Sequence, residues 1–334
     1  MTILVTGGTG FVGSAVIRSL LERGNNVRAL TRATSDPAHL QGQKVERVTG
    51  DLDDPKSLRK AVSGCRALFH VAADYRLWVP EPDAISRTNV EGTRSLMRAA
   101  AEAGVERIVY TSSVATLGLT GDDRPADEKT PSAIDDMVGH YKRSKYLAEQ
   151  AVRAMINDDG LPAVVVNPSA PIGPRDMKPT PTGRLVLDLA RGRLPAFVDT
   201  GLNVVHVEDV AVGHLLAFEH GKIGERYILG GENLRLVKIA SGVADIAGVR
   251  PPKLKLPIGP LLPIAHATEA VWRLTGKTSE PFVTVDGLRM AKKLMFFTSA
   301  KAERDLGYRP RPATDAFEDA VAWYRREGFL TRKS

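Results

Sequence analysis

One cysteine in 334 residues, Cys65, leaves this chain without an internal disulfide. It has no Cys or His companions at metal-ligand spacing, and the seven histidines form no H-E-x-x-H pattern. Zinc binding and zinc hydrolysis therefore have no support, and no metal site is expected. A run of about 18 apolar residues, the length a membrane span needs, is missing. Met1 to Val5 pass straight into an apolar strand pattern, with no basic, cleavable leader before it. The expectation is a cytoplasmic protein. Internal repeats and low-complexity segments are absent as well, and no aromatic-interleaved basic motif of the kind that reads nucleic acid is present, so nucleic acid is not an expected partner.

What charge there is sits unevenly. Net charge is +7, and the stretch from Arg250 to Arg311 holds twelve Lys or Arg against five Asp or Glu. Such a basic face meets either water or an anionic membrane surface, so peripheral membrane contact is an expected partner class. Within it, Pro251 to Pro263 reads as too proline-broken for a long helix and too apolar for a plain linker.

Apolar runs at Ile3–Val5, Val27–Leu30, Val45–Val48, Ala67–Ala73, Arg107–Ser112 and Ala163–Val166 read as strands. Ala- and Leu-rich helical segments at Val12–Arg23, Val90–Ala103 and Tyr141–Ile156 lie between them. Strands alternating with helices predict an α/β fold, a doubly wound parallel sheet of the Rossmann type, with a smaller C-terminal lobe. The regular alternation stops after Pro168. The expected division is 1–168 for a nucleotide-binding unit, with a return segment about 203–230, and 169–334 for a substrate-binding lobe.

Thr6-Gly-Gly-Thr-Gly-Phe-Val-Gly13 follows the first strand and opens the first helix. Gly7, Gly10 and Gly13 let backbone N–H groups, with Phe11 and Val12 between them, approach a pyrophosphate at the helix N-terminus. An acidic residue some 20 positions on would select NAD, but the second strand ends on Arg32. A guanidinium there suits a 2′-phosphate, so NADP (NADPH) is the expected cofactor. Tyr141 and Lys145 stand at i and i+4, on one helix face, where an ammonium favours the phenolate and brings proton exchange nearer neutrality. Taken alone that spacing occurs by chance in many helices.

With the glycine loop, Tyr141 and Lys145 in hand, the chain resembles the extended short-chain dehydrogenase/reductase family. Further markers run in order through Asp51-Leu52, His70-Val-Ala-Ala73, Asn89 to Thr93, Thr111-Ser-Ser113, Asn167-Pro168, His206 to Ala211 and Leu306 to Pro310. The resemblance implies that Asp51 and Leu52 flank the adenine and that Val71, Ala72, Ala73 and Pro168 line the cofactor. It makes Ser113, Tyr141 and Lys145 the catalytic residues, with Tyr141 and Lys145 also touching the cofactor.

Val114 and Ala115 stand where dehydratases carry an acidic pair, and Leu202 stands where nucleotide-sugar epimerases carry the diphosphate-binding arginine. Tyr75 and Trp78, after the fourth strand, offer aromatic walls for an apolar substrate body, with Asn167 as a further substrate contact. Segments Asn167–Pro174, Lys178–Gly183, Val198–Leu202 and Gly224–Gly231 are similar to the hopanoid-associated sugar epimerase group, often labelled dihydroflavonol-4-reductase-like. The leading expectation is an NADPH-dependent reductase of a carbonyl on a sugar-like or polyol group, small or lipid-linked. An epimerase and a non-catalytic NADP-binding regulator are the alternatives. The helices around Val90–Ala103 and Tyr141–Ile156 resemble those that pair in family homodimers.

Overall fold

β-Branched and aliphatic residues dominate Thr2–Thr6, Ala67–His70, Arg107–Thr111 and Ala163–Pro168, so these pack as buried layers, whereas Val45–Thr49 at the sheet edge stays largely exposed. A computed structural model of the chain describes residues 1–74, 82–275, 281 and 283–330. Its strands are β1 (Thr2–Thr6), β2 (Asn26–Thr31), β3 (Val45–Thr49), β4 (Ala67–His70), β5 (Arg107–Thr111), β6 (Ala163–Pro168), β7 (Ala170–Ile172), β8 (Ala196–Phe197), β9 (Gly201–His206), β10 (Arg226–Leu229), β11 (Glu232–Arg235), β12 (Leu254–Lys255) and β13 (Leu294–Met295). Seven of them form one sheet in the order β10-β6-β5-β4-β1-β2-β3, every pair parallel. The order reverses between β1 and β4, and in such sheets the crevice at the strands' C-terminal ends at this point is where a ligand binds.

One core layer joins Ile3, Val5, Val16, Ile17, Phe69, Val109 and Val164 to the helix Val207–His220. On the other face Leu4, Leu68, Ile108 and Val165 meet the helices Pro55–Val62, Gly92–Glu102 and Gly139–Asp159. Cys65 is buried in that second layer. A separate core gathers Val186, Leu187, Ile239, Phe317, Trp323 and Tyr324 around β9 and the helices Pro181–Ala190, Leu236–Ala247 and Ala313–Arg326. β7, β11 and β13 pair with β9 in a second, four-stranded sheet.

Three expectations need correction. The strand expected over Ala67–Ala73 ends at His70, because the Ala72 N–H donates to the Thr6 side chain at 3.2 Å instead of continuing the ladder. The return segment splits: the helix Val207–His220 and β10 belong with the large sheet, but Asn203–His206 pair in the small one. The stretch read as too proline-broken for a helix contains the start of one, Ile258–Leu274. Pro260 falls in its first turn, where an N–H has no partner to lose, and only Pro263 interrupts the ladder. Among the described residues no helix is long and apolar enough to cross a membrane.

Candidate functional site

At the C-terminal end of β1 the chain turns back through Gly7, whose φ of +73° an L side chain rarely adopts and whose carbonyl accepts from the Gly10 N–H at 2.9 Å. A Cβ on Gly7 would stand 2.7 Å from the Ala72 nitrogen, and one on Gly13 would overlap the Gly7 carbonyl oxygen. The glycine loop and the Val71–Ala73 segment therefore touch backbone to backbone. The helix Phe11–Glu22 starts here with no side-chain cap at Gly10 and no acidic residue in its first turn. Its first N–H groups are left for an anion, so the loop fits a nucleotide pyrophosphate.

Around this loop the remaining expected cofactor positions fall on the same edge of the sheet. Arg32 follows β2, is exposed, and has no acidic partner among the described residues. Asp51 follows β3 and folds its carboxylate onto the Asp53 N–H at 3.1 Å, while Leu52 is buried where a Cβ on Gly92 would come within 2.8 Å of it. Pro168 closes β6. Buried His70 joins Thr6 at 2.7 Å and Thr93 at 2.9 Å, and burial first, then the Lys145 charge, pushes its pKa down to about 3, so it stays neutral. Asn89 accepts from the Asp74 N–H at 2.7 Å, donates to its carbonyl at 2.9 Å, and donates to Ser144 at 2.9 Å. That clamp fixes the start of the loop against the long helix. Tyr75 and Trp78 lie outside the described residues.

Residues Tyr141, Lys145 and Glu149 succeed one another along one face of the helix Gly139–Asp159. Lys145 is 3% exposed, its Nζ donates to the Thr111 carbonyl at 2.8 Å, and it lies 5.2 Å from the centre of the Tyr110 ring. Burial lowers its pKa to about 8, against which the nearby Glu149 carboxylate works. Tyr141 is half-buried, close enough to Tyr110 to help burial and Glu149 push that phenol's pKa well up. Ser113 follows β5, and its Oγ accepts from the Ala115 N–H at 3.1 Å, which leaves the hydroxyl hydrogen to be donated elsewhere.

Behind these residues lies a network that the sequence reading missed. Glu149, 1% exposed, accepts at one oxygen from Ser112 (2.5 Å), Thr116 (2.7 Å) and Asn167 (3.0 Å), and at the other from Arg226 on β10 (3.0 Å). Asn167 is fully buried, and its amide also donates to the Ser113 carbonyl at 3.0 Å. Expected as a substrate contact, Asn167 faces the interior of this structure and braces Ser113. The signal available in the sequence was the i, i+4, i+8 series Tyr141, Lys145, Glu149; the partner, Arg226, is remote in sequence.

Further from the loop, Leu202 on β9 pairs with Leu234 and Met295 and packs against the apolar cluster of the small sheet. His206 and Asp209, where β9 passes into the helix Val207–His220, are tied to Arg311: its N–H and Nε donate to Asp209 at 2.8 Å each, and its Nη2 lies 3.2 Å from the His206 ring. These two markers thus join the large sheet to the C-terminal segment rather than facing the crevice.

Comparison with known proteins agrees with this geometry. The sequence profile described as "NAD dependent epimerase/dehydratase family" matches residues 3–230. A protein of Synechocystis named "Putative dihydroflavonol 4-reductase" is 45% identical over 98% of this chain and 95% of its own length. "Sterol demethylase protein B" of Methylococcus capsulatus is 36% identical over 99% and 100%. The crystal structure of gox2253 superposes with a TM-score of 0.89 at 56% identity, covering 99% of each chain.

Proposed function

The chain belongs to the NAD dependent epimerase/dehydratase family and is an NAD(P)-dependent oxidoreductase/epimerase, and from that premise we propose that it is an NADPH-dependent reductase of a carbonyl on a sugar-like or polyol group borne by an apolar, hopanoid-type body. The observation that carries the substrate class is Leu202. A diphosphate-linked sugar would need a cation there, and the position is seated among Leu234, Met295 and the apolar cluster instead. Relatives named for a dihydroflavonol and for sterol demethylation support an apolar, ring-built body.

In this reading Gly7 to Gly13, Arg32, Asp51, Leu52, Val71 to Ala73 and Pro168 hold the dinucleotide. When bound, the nicotinamide supplies a hydride at its C4. Tyr141 Oη gives its proton to the carbonyl oxygen. Lys145, fixed on the Thr111 carbonyl, lowers the phenol's pKa. Ser113, oriented by the Ala115 N–H, donates to the same oxygen. Residues 1–168, with the returning helix Val207–His220 and β10, take the cofactor; the remainder takes the substrate. Helices Gly92–Glu102 and Gly139–Asp159, with Leu147 44% exposed on the second, form the face of a homodimer. A monomer in sedimentation equilibrium would end that part of the proposal.

The test is NADPH consumption with aldehydes and ketones of polyol-bearing lipids and of flavonoid-like compounds. Turnover with net NADPH oxidation is expected. Conversion of a nucleotide sugar to its epimer without net oxidation would establish the second reading, an epimerase, which the family's description favours.

Two further expectations concern the cofactor and pH. Arg32→Ala removes the charge-assisted clasp on the 2′-phosphate, so NADPH should bind about 10- to 100-fold more weakly while NADH binding changes little. An unchanged NADPH:NADH ratio in fluorescence titrations would remove Arg32 from the clasp. Lys145 must be charged to act, and it loses its proton as pH rises through about 8. The kcat/KM for reduction should accordingly fall above that pH, and a flat profile to pH 10 would contradict the role of Lys145.

A further inference from the structure

Between Arg250 and Lys293 the sequence carries eight Lys or Arg and three Asp or Glu. Inside that basic stretch, from Leu256 to Thr268, there is no charged residue at all. The helix Ile258–Leu274 spends one face on its neighbour: Ile258, Leu261, Leu262 and Ala265 pack on Val285 and Leu288 of the helix Val285–Ala291, and Glu269 accepts from the Val285 N–H at 2.8 Å. The opposite face is also apolar, yet open. Pro263, Ile264, Ala267, Val271 and Leu274 recur at helical spacing and are all exposed, Ile264 by 56%, Val271 by 49% and Leu274 by 88%. Leu254, 57% exposed between Lys253 and Lys255, stands on β12, which pairs with β8 ahead of the helix. Scattered single apolar residues on a surface need no explanation, but a continuous stripe along a helix marks a contact.

We propose that this stripe lies on the surface of an anionic lipid bilayer, its apolar residues sunk into the headgroup boundary and the exposed lysines of the same basic stretch paired with lipid phosphates. Charge decides the occupant. Lys253, Lys292 and Lys293 are exposed and have no acidic partner among the described residues. Docking the stripe on a second copy would bring these like charges together across a two-fold axis, which is repulsive, whereas an anionic surface attracts every one of them. A helix of 17 residues is about 25 Å long, enough to lie in the interface plane, which an apolar face set within a basic stretch of chain favours.

Docking here also sets the position of the candidate site. A Cβ on Gly139, the first residue of the helix bearing Tyr141 and Lys145, would lie 2.9 Å from the carboxylate of Asp286 in the Val285–Ala291 helix. One turn on, Lys142 Nζ stands 3.6 Å from the Met295 sulfur. The helix Val285–Ala291, which carries the lipid-facing helix on its other side, therefore abuts the start of the Tyr141 helix, so a docked protein holds that helix one packing layer from the lipid-facing one.

The docking goes beyond the proposed carbonyl chemistry and is read without cofactor or substrate, so either can fail alone. The full chain is floated with phosphatidylcholine vesicles, with and without phosphatidylglycerol, at low and high salt. Binding is expected only with the anionic lipid and to weaken with salt. Ile264→Ser with Leu274→Ser, and separately Lys292→Glu with Lys293→Glu, should each weaken it by at least about tenfold without moving the thermal midpoint. Failure of the unmodified chain to float with anionic vesicles at low salt overturns the proposal. So does full binding by the serine double variant, or a dimer that this variant dissociates.

Discussion

Tyr141→Phe should lower turnover by at least ~100-fold while leaving NADPH affinity little changed, because a positioned proton donor contributes on the order of 100- to 10,000-fold and the ring itself is kept. The effect belongs to one atom. In the proposed mechanism Ser113, held by the Ala115 N–H, would still polarise the substrate oxygen and Lys145 would still sit on the Thr111 carbonyl, so binding and charge placement survive and only the proton is missing. Steady-state assays paired with fluorescence titration of NADPH separate the two quantities. Retained activity would transfer the acid role to another group, and a parallel loss of NADPH binding would show that the hydroxyl serves to bind rather than to react.

The second large effect is expected at Glu149→Ala. This carboxylate is 1% exposed and meets Arg226 at 3.0 Å, with Ser112, Thr116 and Asn167 satisfying its other oxygen. Removing one member of a buried ion pair leaves the other charge uncompensated, a loss of roughly 3–5 kcal/mol. A denaturant titration reads it. The double change Glu149→Met with Arg226→Met should recover part of that loss, since no charge is then stranded. In the folded fraction of a further variant, Glu149→Gln, a separate readout applies. Glu149 raises the pKa of Lys145, so its neutralisation should move the alkaline fall in kcat/KM below about 8. An unmoved limb would make Glu149 a packing residue only.

Much of the sheet was legible because Val- and Ile-rich runs such as Ala163–Val166 alternate with helical segments, a pattern a parallel sheet requires. The glycine loop was legible for the same kind of reason: an L side chain rarely adopts the φ of Gly7, and a Cβ fits neither the backbone contact at Gly7 nor the one at Gly13. Less was visible where structure depends on partners distant in the chain. Glu149 reads as an ordinary helix carboxylate until Arg226 arrives on β10, and Asn167 reads as a substrate contact until its amide is found on the Ser113 carbonyl and the Glu149 carboxylate. The short strands of the small sheet, β8 and β13 of two residues each, carry too few positions to show any period. Pro260 and Pro263 masked the helix Ile258–Leu274, because a breaker in a first turn looks in sequence like a breaker anywhere.

The acceptor that holds Lys145 is a main-chain carbonyl, supplied by residue 111 whatever its side chain. No single substitution can delete it. Replacing Thr111 removes the hydroxyl that meets His214 at 2.9 Å, yet the grip on the ammonium persists as long as the strand keeps its place. Libraries that randomise the walls of the crevice should therefore yield clones with altered selectivity far more often than clones with a misplaced ammonium. In evolutionary terms, the proposed proton-transfer centre would be insulated from drift in the side chains around it, and the substrate could change while the chemistry is inherited intact.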